Sequence, residues 1–297
     1  MDIRAILMGL AFAVMWSSAF TSARIIVADA PPLLALALRF ALSGALAVLI
    51  ARWMGQSWRL TRLQWKATII FGICQNALYL GLNFVAMQRI EASLAAIIAS
   101  SMPLLVGVAG WLFAGQRMSP IGVIGLIAGF CGVVIIMGAR LGAGADIYGI
   151  GLCLIGVISL TVATMALRNA SSGGNFMMVV GLQMLVGSAV LFPAGILLDT
   201  FEVSMSPKLA IAFIYTTLVP GLAATLVWFW LVNRIGAVKA ATFHFLNPFL
   251  GVAIAAVILS EGLGAMDIVG VIIITLGILA VQISRQSSGT ETNSTAK

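Results

Sequence analysis

The chain has 297 residues, of which 62% are hydrophobic and only 8% charged, against about 45–50% apolar and about 25% charged in a soluble domain. With a mean hydropathy of +1.14 there is too little polar surface to clothe a water-soluble globule. That excludes soluble enzymes, disordered chains and, despite the net charge of +7, nucleic-acid binders, and leaves an integral membrane protein.

A membrane span needs about 20 mainly apolar residues. Ten such runs follow one another, at about 4–26, 33–52, 65–87, 92–114, 120–139, 147–167, 176–198, 209–233, 238–259 and 265–284. The first has a weak charged start (Asp2, Arg4) and is longer than a signal peptide's apolar stretch, so it reads as a retained span. The second holds Arg39, about 9 Å below its start at 1.5 Å per residue. That arginine reads first as a helix clamp and second as an anion contact. The third carries Gln75, Asn76, Tyr79 and Asn83, which share one stripe of a helix. Amides in lipid leave donors and acceptors unpaired, so the stripe must face protein or a watery cavity. Interhelical glue is the other use of such residues.

The fourth span contains Ser100, Ser101 and Pro103, and the ninth His244, Asn247 and Pro248. Each proline frees a carbonyl four residues back and offers a kink or a gating hinge. The eighth span has Pro220-Gly221, a break, followed by Trp228 as a flat apolar wall and Trp230. Either tryptophan reads equally as an interfacial anchor. His244 is the one histidine, a neutral core residue or a proton carrier. Cys74, Cys131 and Cys153 all lie in apolar runs and read as small hydrophobes, so neither a disulfide frame nor a metal site is expected, and no cofactor. Residues 286–297 are Ser/Thr-rich and are expected to be a disordered tail.

Lysine and arginine fix the direction. With the amino terminus inside, the inside segments hold Arg4, Arg52, Arg59, Arg62, Lys66, Arg117, Arg168, Arg234, Lys239, Arg285 and Lys297, and the outside segments only Arg24, Arg89, Arg140 and Lys208. Both termini are therefore expected in the cytoplasm.

Sliding the second half over the first by 145 residues aligns Arg89-Ile90 with Arg234-Ile235, Pro103 with Pro248, Gly125 with Gly270, Gly132 with Gly277 and Arg140 with Arg285, without a gap. The offset covers five spans, an odd number, so the halves are inverted, an arrangement of many secondary transporters. The expected fold is all-α: ten transmembrane helices as two inverted five-helix repeats, residues 1–143 and 144–285. In this alignment Gln75-Asn76 falls on Pro220-Gly221.

The chain resembles the EamA-type drug/metabolite transporters over nearly its whole length. The residues that carry the resemblance are Trp16-Ser17-Ser18-Ala19-Phe20, Leu38-Arg39-Phe40, Met102-Pro103-Leu104, Gly115-Gln116-Arg117, Asn247-Pro248-Phe249, Ser260-Glu261-Gly262-Leu263, Gly270 and Gly277. Gln116 departs from the family's usual Glu, which the second half keeps as Glu261. Within the family the chain is most similar to the YddG-type aromatic amino-acid exporters. The resemblance implies a multi-pass protein of the bacterial inner membrane that exports small metabolites by alternating access. It also implies a site that includes Trp16 and Ser17.

The expected substrate site is thus Trp16, Ser17, Gln75, Asn76, Tyr79, Asn83, Ser101, Trp228, His244 and Asn247, with Pro103, Pro220, Gly221 and Pro248 as kinks or gates. No Asp or Glu lies deep in a span, which disfavours a proton-driven cation pump and favours facilitated movement. No phosphate-binding Gly-rich loop occurs, and no deep cluster of bases, so neither ATP hydrolysis nor a phosphate substrate is expected. A neutral or zwitterionic solute remains, an amino acid first and another uncharged metabolite or drug second. The expected partners are that small solute and the lipid bilayer, and a monomer suffices. An intramembrane hydrolase would need a Ser–His pair or two deep Asp residues, and that constellation is incomplete. The chain therefore does not read as an enzyme.

Overall fold

The structure, a computed structural model, describes residues 2–115, 118–167, 174–236, 240 and 242–294, and for residues 114, 167 and 285–294 the backbone alone. Among the described residues ten helices are long and apolar enough to cross a membrane, and there is no strand. They are α1 (Ile3–Asp29), α2 (Pro32–Trp53), α3 (Arg62–Ala86), α4 (Ala92–Phe113), α5 (Pro120–Gly142), α6 (Ile147–Leu167), α7 (Phe176–Leu198), α8 (Pro207–Ile235), α9 (Thr242–Leu259) and α10 (Ala265–Ser294). The ten expected spans are all present. Gln116, Arg117, Arg168 and Lys239 lie outside the described residues.

The starts follow from local chemistry. The Asp2 carboxylate accepts from the Ala5 N–H at 2.8 Å, Thr61 and Gln64 form a reciprocal capping box, and Ser119 and Ser206 cap α5 and α8 ahead of prolines at the first helical position. The backbone of α10 is helical as far as Ser294. No proline interrupts this stretch, so the backbone ladder continues.

The inverted repeat is visible in the breaks. The second part of α4, Met102–Ala114, falls at an offset of 145 on the second part of α9, Asn247–Leu259. Both parts end in left-handed backbone, Gly115 at φ 60° and its mate Ser260 at φ 55°. Helices α5 and α10 are mates that pack on each other in antiparallel fashion. A Cβ on Gly125 would lie 2.8 Å from the Gly277 carbonyl oxygen, and one on Gly132 2.9 Å from that of Gly270. Only glycine allows backbones this close. Because mates run in opposite directions, the pseudo-two-fold axis passes between them.

The odd-numbered helices begin at one end of the bundle and the even-numbered at the other. The first carries Arg52, Arg59, Arg62 and Lys66 and is called the basic end. The second carries Asp29, Glu91, Asp146, Asp199, Glu202, Glu261 and Asp267 and is called the acidic end.

Candidate functional site

Two helices lose their regular winding at matching places. In α3 the segment Gly72–Tyr79 is π-helical, and in α8 so is Val219–Ala223, which lies within the mate of the first segment. A π turn widens the helix and is common at functional sites. In α8 the cause is Pro220, which has no N–H to offer the Thr216 carbonyl. That carbonyl accepts instead from Arg39 Nε at 3.2 Å, and Thr217 O accepts from Ser43 Oγ at 3.1 Å. In α3 a serine of α6 plays the same part: Ser159 Oγ donates to Cys74 O at 2.9 Å. Close packing holds the α3 segment against α7, since a Cβ on Gly187 would lie 2.4 Å from that of Asn76.

Between these segments lies a cavity of about 620 Å³, lined by α1–α4 and α6–α9. Among the described residues none of α5 or α10 lines it. This volume is in the range of small-molecule sites, about 300–1,000 Å³. Its lining reaches the basic end through Gln64 and Thr68 of α3, Thr164 of α6 and Phe176 of α7. Toward the acidic end it gives way to a smaller cavity of about 60 Å³, lined in part by Ala23, Asn83 and Met87. Arg39, Gln75, Tyr79 and Pro220 line both.

The walls are mostly aromatic. Phe12, Trp16 and Phe20 repeat every four residues along one face of α1. His244 stands edge-on to Phe12 (centroids 5.2 Å apart), Trp16 (6.3 Å) and Trp228 (5.0 Å). Asn247 Nδ2 donates to its Nδ1 at 3.0 Å. The histidine thus forms part of an aromatic box on one side of the cavity.

Most of the residues singled out from the sequence meet here. Trp16, Gln75, Asn76, Tyr79, Trp228, His244, Asn247, Pro103, Pro220 and Gly221 line the large cavity, and Asn83 lines the small one. Three do not reach it. Ser17 is buried 3.5 Å from Asn247 Oδ1, Ser101 turns its hydroxyl back to Ile98 O at 2.7 Å, and Pro248 is buried at the start of the second part of α9. Small hydroxyls in a helix bond their own backbone when nothing else is near. Asn83 is tied on both sides, its Nδ2 donating to Tyr79 O at 2.7 Å and its Oδ1 accepting from Cys153 Sγ at 3.3 Å. Trp230, the neighbour of Trp228, is 54% exposed on the outer surface. Phe12, Phe71, Phe176 and Gln183 are further lining residues that the sequence reading passed over. For Phe12 the signal was present, one turn ahead of Trp16.

At the acidic end carboxylates cap the helix starts. Asp199 accepts from the N–H groups of Leu33 and Leu34, both at 2.9 Å, and Glu261 from those of Ala92 at 2.8 Å and Ser93 at 2.9 Å. Partial burial holds the Asp199 carboxyl above the usual carboxylate range, against the pull of its two N–H donors. Arg140 is paired with Asp267 at 2.9 Å and with Glu91, and Asp267 is 3% exposed. At the basic end Gln56 Oε1 accepts from Met178 N at 3.0 Å, and an exposed pair joins Asp2 to Arg234.

A model of the EamA-like transporter family matches residues 3–138 and again 147–283. The uncharacterized transporter YvbV of Bacillus subtilis is 27% identical over 269 residues, covering 90% of this chain and 88% of its own. An uncharacterized transporter of Archaeoglobus fulgidus is 26% identical over 278 residues, covering 90% of this chain and 94% of its own. Protein PecM of Dickeya dadantii is 22% identical over 274 residues, covering 89% of this chain and 86% of its own. A solved crystal structure superposes with a TM-score of 0.69 at 21% identity, covering 96% of this chain and 99% of that one, which is a likeness of fold.

Proposed function

The chain belongs to the EamA-like transporter family, and from that premise we propose that it exports small neutral or zwitterionic metabolites, amino acids including aromatic ones, by alternating access. The observation that carries this reading is the aromatic-walled cavity of about 620 Å³ between two symmetry-related π-helical segments. Interrupted helices at the interface of inverted repeats are where secondary transporters hold their solutes. The aromatic box supplies apolar surface for a side chain, and Gln75 and Asn76 supply polar groups for its head.

The Lys/Arg excess supports placing the basic end, with both termini, in the cytoplasm of a bacterial inner membrane. The cavity then faces the cytoplasm, as an exporter does when it loads. The division into repeats at residues 1–143 and 144–285 accords with the same axis. The test is counterflow of a panel of labelled amino acids in liposomes containing the purified protein. Saturable counterflow of phenylalanine, tyrosine or tryptophan is expected. Counterflow confined to solutes without an amino-acid head would overturn the choice of substrate.

A further inference from the structure

We propose that Arg39 is the anchor for a carboxylate, so that the cavity selects monocarboxylates with an apolar, preferably aromatic, body. This rests on the reading of the cavity as the substrate site and names the group the site recognises. Arg39 is 6% exposed and lines both the large cavity and the small one. Its Nε is spent on the Thr216 carbonyl at 3.2 Å, the carbonyl that Pro220 leaves without a helical donor. Its guanidinium carbon lies 5.1 Å from the centre of the Phe40 ring. Among the described residues Arg39 enters no ion pair. A Cβ added at Gly221 would come into contact with Nη2, at 3.7 Å, so the glycine leaves that nitrogen uncovered.

A buried charge without a counter-ion is expensive, and a fold that needed only a clamp between α2 and α8 would be served by a neutral donor. Arginine adds a flat fork whose remaining edge matches the two oxygens of a carboxylate. Here Nε fixes the fork in place and leaves the terminal nitrogens to take an acid. A single cation calls for a single negative charge. No acidic side chain lines either cavity among the described residues, so an amine gains no ion pair of its own. The aromatic box shares the cavity with Arg39 and offers the body of the solute its contact surface.

The experiment measures binding to the purified full-length protein by calorimetry, using phenylalanine, 3-phenylpropionate (no ammonium) and phenethylamine (no carboxylate). On the unaltered protein phenylalanine and 3-phenylpropionate are expected to bind within about tenfold of each other, and phenethylamine about ten- to a hundredfold more weakly. Arg39→Gln is expected to remove that preference by weakening both acids to the level of the amine, and Arg39→Lys to restore part of it. The comparison of three ligands on the unaltered protein needs no variant, so a failure of Arg39→Gln to fold does not decide the matter. Phenethylamine binding as tightly as phenylalanine, or a folded Arg39→Gln protein that keeps the preference, overturns the anchor and leaves the transport reading standing. Binding of none of the three to the unaltered protein overturns the reading of the cavity and the anchor with it.

Discussion

The two ends of the bundle are built on one symmetric scaffold, but among the described residues their helix starts are capped with different chemistry. Leu33 at the start of α2 and Met178 near the start of α7 are mates at an offset of 145, and each is capped from the opposite half of the chain. At the acidic end the cap is the Asp199 carboxylate, which takes two N–H groups. At the basic end it is the Gln56 amide, which takes one. Glu261 repeats the stronger arrangement on α4. A carboxylate at a helix start gains both from charge-assisted hydrogen bonds and from the helix dipole, which an amide does not. The Arg140–Asp267 pair adds a partly buried lock at the same end. The large cavity reaches the basic end, and toward the acidic end only the small cavity continues, as far as Met87. An inverted repeat builds the two ends alike, and here the polar groups that cap their helices differ in strength.

Breaking the lock gives the largest expected effect. Arg140→Ala leaves the buried Asp267 carboxylate with only the Gly264 N–H, a loss of up to about 3 kcal/mol. Thermal melting of the purified protein checks this, and the double variant Arg140→Ala/Asp267→Ala should recover most of the loss. If Arg140→Ala melts no lower than a variant of the exposed pair at the basic end, the ends do not differ as argued.

The caps sharpen the contrast in smaller steps. Glu261→Ala removes both acceptors from the start of α4 and should cost about 1–2 kcal/mol. Gln56→Ala removes one neutral hydrogen bond and should cost about 0.5–1 kcal/mol. The order of the two melting temperatures is the measurement. Equal costs would mean that carboxylate and amide caps hold equally well.

Much of this architecture was legible because lipid makes simple demands. The spans showed as long apolar runs. The repeat showed as matched Gly and Pro, which have backbone reasons to be kept in place, whereas aliphatic matches carry little information. The widened turn of α8 was legible from Pro220-Gly221. That of α3 was not, because Gly72–Tyr79 has no proline and widens through packing on Gly187 and the Ser159 hydrogen bond. The lock escaped notice for another reason: Arg140 pairs with Asp267, 127 residues on, and with Glu91, 49 residues back. Spacing along the chain holds no trace of such pairs. Ser17, Ser101 and Asn83 have the right chemistry for a site, but which neighbour a short polar side chain bonds is settled only by packing.

The polar stripe of α3 divides along the same line. Gln75 sits where the large cavity meets the small one, whereas Asn83, nearer the acidic end, is bonded to Tyr79 O and to Cys153. Asn83→Ala should lower the melting temperature by an amount worth about 1–2 kcal/mol and spare the affinity of the protein that still folds. Gln75→Ala should do the reverse, weakening solute binding about tenfold with little change in melting. Affinity and melting temperature measured on each variant separate the two. A shared loss of stability with unchanged affinity would make the whole stripe packing.

The smallest effect belongs to the exposed pair at the basic end. Hydrogen bonds from Arg234 and from the Ala5 N–H lower the Asp2 carboxyl from 3.8 to about 2. A lowered carboxyl pKa stabilises the folded state above the unfolded value, about 3.9, and that stabilisation is lost as pH falls through the folded value of about 2. Any contribution is therefore constant between pH 5 and pH 8, roughly the range in which such proteins work. Both partners face solvent, where ion pairs are screened by salt and contribute little. Asp2→Asn should thus shift the melting temperature only slightly at pH 7 in low salt, less in high salt, and less again as pH falls toward 2. A large shift at pH 7 that persists in high salt would show that the basic end is held as firmly as the acidic end, and the asymmetry between the ends would have to come from elsewhere.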